Sequence, residues 1–220
     1  MSRHRLASLL PAFGLVACAE VAEPASEPIP EAGLDATTDT TSAVDATTGP
    51  ESPSDAGSPS GPLGGLIINE LRASGEDWVE LLNAGAIPLA LSGLRVADLD
   101  EATGAPKLAE AITLPAGTTL GPGARLVIVA DVATPREGLQ TDCLGGAVAT
   151  CLEAPYGLSG PRGDRVFILS ATTDDVLVEA AYPAPAEASV PDGQSWGRLP
   201  DGTGAFGPAT PTPGAANLAP

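Results

Sequence analysis

Asp77-Trp78-Val79-Glu80-Leu81-Leu82-Asn83 alternates with a period of two, setting Trp78, Glu80 and Leu82 on one face and Val79, Leu81 and Asn83 on the other. That pattern predicts a β-strand. The run before it, Leu66-Ile67-Ile68-Asn69-Glu70-Leu71, is also strand-like, and Ala84-Gly85 after it reads as a turn. Pro88-Leu89-Ala90-Leu91 and Leu94-Arg95-Val96-Ala97 flank Ser92-Gly93. Gly121-Pro122-Gly123 precedes an apolar strand, Leu126-Val127-Ile128-Val129-Ala130. Arg165–Leu169 and Val176–Tyr182 form a hairpin pattern across Thr173-Asp174-Asp175. Short strands parted by Gly/Pro turns, with no long helical period, predict an all-β sandwich over 63–220. That span is ample for one core, and its few aromatic residues predict an aliphatic interior.

The same residues resemble the lamin tail domain, an immunoglobulin-like β-sandwich found in nuclear lamins and in many exported bacterial proteins. The carrying phrases are Ile68-Asn69-Glu70-Leu71, Trp78 to Asn83 and Leu91-Ser92-Gly93-Leu94 leading to Asp98. Leu114 to Leu120 with Pro122-Gly123 follows, then Ser195, Arg198, Pro200-Asp201-Gly202 and Thr212-Pro213-Gly214-Ala215-Ala216-Asn217. The resemblance implies a binding or architectural module. It assigns structural roles to Asn69, Glu70, Trp78, Glu80, Asn83, Gly93, Arg198, Asp201, Gly202, Pro213, Gly214 and Asn217. Asp131 to Tyr156 and Asp98 to Ile112 are longer than the family pattern, which predicts a loop insertion and a long connection.

Residues 1–17 read as an export signal. Arg3 and Arg5 precede a mostly apolar run from Leu6 to Ala17, shorter than the ~20 residues a membrane span needs. Leu15-Val16-Ala17-Cys18 resembles the lipobox of bacterial lipoproteins, which implies cleavage after Ala17 and acyl chains on Cys18. Residues 18–62 lack Lys, Arg and aromatic residues and are rich in Ala, Pro, Ser, Thr, Gly and acid. Such a composition predicts a disordered acidic tether with an r.m.s. span of roughly 35–40 Å. The expected location is the bacterial cell envelope, at the outer membrane on its periplasmic or surface face.

Three cysteines leave Cys143 and Cys151 once Cys18 is acylated, and an oxidising compartment predicts a disulfide between them. Closing so short a loop contributes roughly 2–3 kcal/mol. A structural zinc site wants four Cys or His ligands, and the single histidine, His4, leaves with the signal. The formal charge of −18 argues against nucleic acid as a partner.

The mature chain without histidine has no Ser-His or Cys-His pair, and Gly157-Leu158-Ser159-Gly160 falls one residue short of a nucleophile elbow. Glu70 and Glu80 could form a carboxylate pair for an exported hydrolase, but they read better as structural acceptors. Gly202-Thr203-Gly204-Ala205-Phe206-Gly207 matches G-x-G-x-x-G by letter, yet the prolines after it forbid the helix that would receive a pyrophosphate. Asp98-Leu99-Asp100-Glu101 gathers oxygen donors of the kind calcium uses. Thr103 and Ala109 stand where an EF-hand needs Gly and Glu, so a solvated acidic loop is the simpler reading and a calcium-stabilised adhesion domain the alternative. The expected protein is a non-catalytic interaction module without cofactor or metal, its partner a protein or polysaccharide.

Overall fold

The computed structural model describes residues 63–220; the expected export signal, the expected lipid attachment at Cys18 and the expected tether to residue 62 lie outside them. Twelve strands and two short 3-10 turns make up the regular structure, with no α-helix among the described residues. The architecture is an all-β sandwich. One sheet of six strands runs in the order β12 (Ala205–Ala209), β11 (Ser195–Leu199), β1 (Leu66–Arg72), β2 (Trp78–Asn83), β7 (Arg125–Val129), β8 (Cys151–Glu153). It faces a four-stranded sheet in the order β10 (Val176–Tyr182), β9 (Asp164–Leu169), β4 (Arg95–Ala97), β5 (Ile112–Thr113), while β3 (Leu89–Ala90) and β6 (Thr119–Leu120) form a small ribbon.

The centre of the larger sheet is β1 (Leu66–Arg72), β2 (Trp78–Asn83) and β7 (Arg125–Val129). Val79 and Leu81 of β2 enter the main core with Leu66, Ile68 and Leu71 of β1 and Leu126 and Ile128 of β7. From the opposite sheet come Val96 of β4 (Arg95–Ala97), Val166 and Ile168 of β9 (Asp164–Leu169), and Ala180 and Tyr182 of β10 (Val176–Tyr182). The interior is chiefly aliphatic, as the composition predicts. Burying such side chains stabilises by about 1.5–3 kcal/mol each.

Trp78 lies on the other face of β2, as the alternation requires. There it packs in a second cluster with Val127, Val148 and both half-cystines, Cys143 and Cys151. These are joined by a disulfide with Cα atoms 6.3 Å apart. The stretch from Asp131 to Tyr156 is therefore more than a loop. Its second half contains β8 (Cys151–Glu153), which runs parallel to β7 at the edge of the large sheet. A parallel edge strand of three residues carries too little alternation to be read in advance.

The segments flanking Ser92-Gly93 likewise part company. β3 (Leu89–Ala90) pairs with β6 (Thr119–Leu120), whereas β4 pairs with β5 (Ile112–Thr113) and β9. The turn is a passage between sheets, with Gly93 at φ +79°, where a residue bearing a Cβ is strained. The hairpin of β9 and β10 forms as expected. β11 (Ser195–Leu199) and β12 (Ala205–Ala209) close the chain's path across the large sheet.

Candidate functional site

Strict alternation through β1 would send Glu70 into the core beside Leu66 and Ile68. A β-bulge prevents this. Ile68 pairs with Leu81 and Glu70 with Glu80, leaving Asn69 as the extra residue. The bulge turns Asn69 and Glu70 together toward the outer face of the sheet, while Leu71 returns to the core.

On that face a buried polar network forms. Asn69 Nδ2 donates to Glu80 Oε1 at 2.8 Å and to Asp201 Oδ1 at 3.0 Å, and its Oδ1 accepts from the Gly202 N–H at 3.1 Å. Asn217 Nδ2 donates to the carbonyls of Asn69 and Arg198, and its backbone N–H donates to Asp201. Glu70 accepts from the Ser195 hydroxyl and from both the backbone N–H and the hydroxyl of Thr212. Thr212-Pro213-Gly214-Ala215 is a β-turn, closed by an Ala215 N–H to Thr212 carbonyl bond of 2.9 Å. Proline second and glycine third, with Gly214 at φ +81°, suit a type II turn. Its Gly214 N–H donates to Glu80 Oε2 at 2.8 Å.

Arg125, which the sequence gives no reason to single out, completes the network. Its Nε lies 3.2 Å from Glu80 Oε1 and its Nη2 2.5 Å from Asp201 Oδ2. Burial raises the Glu80 carboxyl to about 7, against the opposing pull of Asn69, Gly214 and Arg125. Glu70 is also raised, again by burial first, with Ser195 and Thr212 opposing. Asp201 ends lowered: burial raises it, but the donors on Asn217, Asn69 and Arg125, with the charge of Arg125, outweigh that. Both Glu70 and Glu80 are 0% exposed. A carboxylate pair serving hydrolysis must reach a substrate; these two are enclosed by the chain's own C-terminal segment.

Other predicted positions serve the frame. Asn83 accepts from the Gly85 N–H and donates to the carbonyls of Ile87 and Leu120, fixing the turn after β2. Arg198 donates to the carbonyls of Ile68 and Gly204, with its guanidinium 4.6 Å from the centre of the Phe206 ring. The G-x-G-x-x-G letters at 202–207 span the end of a tight turn, where the Gly204 N–H donates to the Pro200 carbonyl at 2.7 Å, and strand β12.

A second polar site lies elsewhere on the domain. Asp98, Asp100, Glu101 and Asp164 line a cleft of 360 Å³ together with Lys107 and Arg162. Asp164 and Ser159 come from the far side of the sequence, and the acidic phrase alone could not indicate them. No three acidic, His or Cys side chains among the described residues are gathered closely enough to hold a metal ion. Asp98 is 6% exposed, and its Oδ1 has no hydrogen-bond donor among the described residues. Burial raises its carboxyl to about 6, with Lys107 opposing and Asp164 and Glu110 adding to the rise.

Set against protein-family models and against curated proteins, the chain matches none.

Proposed function

We propose that this protein is a non-catalytic, lipid-anchored component of the bacterial cell envelope that presents a β-sandwich of the lamin tail kind to a protein or polysaccharide partner. The observation that carries the non-catalytic part is the fate of Glu70 and Glu80. The two acids best suited to hydrolysis are fully buried; the donors they engage belong to Ser195, Thr212, Gly214 and Asn69, and the Arg125 guanidinium forms an ion pair with Glu80. The anchoring part rests on the lipobox-like phrase ending at Cys18 and on the acidic composition up to residue 62, which suits a spacer. The outer membrane is the proposed site of attachment.

The test is metabolic labelling of cells with a palmitate analogue, followed by protease shaving. Label on the wild-type protein, lost in Cys18→Ser, supports the anchor; an unlabelled wild type overturns it. Shaving of intact cells then separates a surface-exposed domain from a periplasmic one. Hydrolysis of glycan or peptide substrates, abolished in Glu80→Gln while folding is retained, would overturn the non-catalytic reading.

A further inference from the structure

The segment from Thr210 to Pro220 is fastened to the large sheet by polar bonds more than by apolar contact. Asn217 is its one buried residue, and Leu218 is 59% exposed. The segment closes on itself through the Thr210 N–H and the Leu218 carbonyl at 2.9 Å. Its outward links run from Thr212 to Glu70, from Gly214 to Glu80, and from Asn217 to Asp201 and the carbonyls of Asn69 and Arg198. A unit with so little apolar burial opens at lower cost than the sheets behind it.

Three carboxyl groups receive those links: Glu70 from β1, Glu80 from β2 and Asp201 from the turn between β11 and β12. Arg125 from β7 is divided between Glu80 and Asp201, and Arg198 from β11 turns to the carbonyls of Ile68 and Gly204. Glu70 is met instead by two neutral hydroxyls and the Thr212 N–H. Each hydroxyl carries a single hydrogen. Ser195 Oγ reaches both Glu70 Oε1 and, at 3.2 Å, the Ala209 carbonyl. Thr212 Oγ1 lies 3.1 Å from Glu70 Oε2 and 3.5 Å from Asn217 Oδ1. With a proton on Glu70 the bond to Ser195 reverses, and the Ser195 hydrogen serves Ala209.

Glu70 and Glu80 face each other across the strand pair, so they titrate together, both raised by burial before any other cause. Loss of the proton they share leaves two opposed charges buried beneath the segment. Lifting 210–220 brings water to both acids at the smallest loss of apolar burial.

We propose that the segment from Thr210 to Pro220 is a latch, closed while Glu70 and Glu80 hold one proton between them and released from the large sheet, with the sandwich intact, when that proton is lost. The proposal stands apart from the anchoring and partner-binding readings.

The experiment follows the full chain by carbon-detected backbone NMR between pH 5.5 and pH 9. Residues 212–218 are expected to move reversibly to unfolded-chain shifts as pH rises, while Leu81, Val96 and Ile168 stay in place. The open-to-closed ratio should rise by up to about tenfold per pH unit, the slope of one proton. Glu70→Gln keeps a neutral group that can donate to Ser195, so its latch should stay closed to pH 9. No movement of 212–218, movement only together with the core, or the same release in a folded Glu70→Gln overturns the proposal. If Glu70→Gln does not fold, the carboxyl carbon shifts of wild-type Glu70 and Glu80 decide. They must report one proton lost at the pH where the latch moves; titration of both acids in the ordinary carboxylate range, or away from the latch transition, overturns it.

Discussion

Glu70 and Glu80 stand directly opposite each other across the β1–β2 pair, both fully buried. Like charges in that relation repel, and neither is released to solvent. Each is instead met by its own set of donors, Ser195 and Thr212 for Glu70 and Asn69 and Gly214 for Glu80, with the Arg125 guanidinium adding an ion pair to Glu80. The C-terminal turn is thereby locked to the centre of the large sheet. The strand pair and the turn together form a clasp.

This clasp makes stability depend on pH. Glu80 has a folded-state value of about 7 against an ordinary value of 4.5. Between those values the folded state binds more protons than the unfolded chain, so stability is highest at the acidic end and falls as pH rises through the window. The loss from Glu80 alone reaches about 3 kcal/mol by pH 8, as an upper bound. Asp98 and Glu70 act in the same direction. Asp201 acts oppositely, and its contribution is lost as pH falls below the ordinary carboxylate range. Urea unfolding between pH 8 and pH 4.5 should show the midpoint rising toward acid, with a shallower rise in Glu80→Gln. A midpoint that falls over this range would contradict the account.

Reduction of the Cys143–Cys151 disulfide should cost about 2–3 kcal/mol, as expected for a short loop. Because both half-cystines pack with Trp78, the change has a local signature. Under reducing agent below the unfolding midpoint, tryptophan fluorescence should shift to the red, and Trp78→Phe should remove most of that shift. If reduction leaves both the urea midpoint and the emission unchanged, the loop does not depend on the bridge.

Gly204→Ala should be among the costlier glycine substitutions. A Cβ at this position would lie 2.0 Å from the backbone carbonyl of Leu199, which cannot move without opening the turn beneath Arg198 and Asp201. The expected cost is about 3 kcal/mol or more. Gly117→Ala provides the contrast: its Cβ meets nothing within 4 Å, so only its φ of +81° is penalised, by about 1 kcal/mol. Thermal melting of the two variants ranks them; a Gly204→Ala midpoint at or above that of Gly117→Ala would refute the steric argument.

Much of the fold was legible because its signal is local. The alternation in Trp78–Asn83 placed Val79 and Leu81 on one face and Trp78 on the other, and the structure keeps that division. Pairing of Cys143 with Cys151 followed from counting thiols. Strand β8 was missed because three residues flanked by turns show no period. The separation of β3 from β4 is not legible in the sequence, because a Ser-Gly turn does not reveal whether the chain stays in one sheet.

The sequence by itself determined the strand pattern, the aliphatic core and the segment from which a sandwich could form, since residues two apart on an extended chain necessarily share a face. Which face became a site was decided only by tertiary structure. The bulge at Asn69 reverses Glu70, Arg125 reaches both Glu80 and Asp201, and Asp164 lines one cleft with Asp98. These relations join residues far apart in the chain. Their energies arise from burial and from donors that exist only after the sheets have packed, and no local pattern records them.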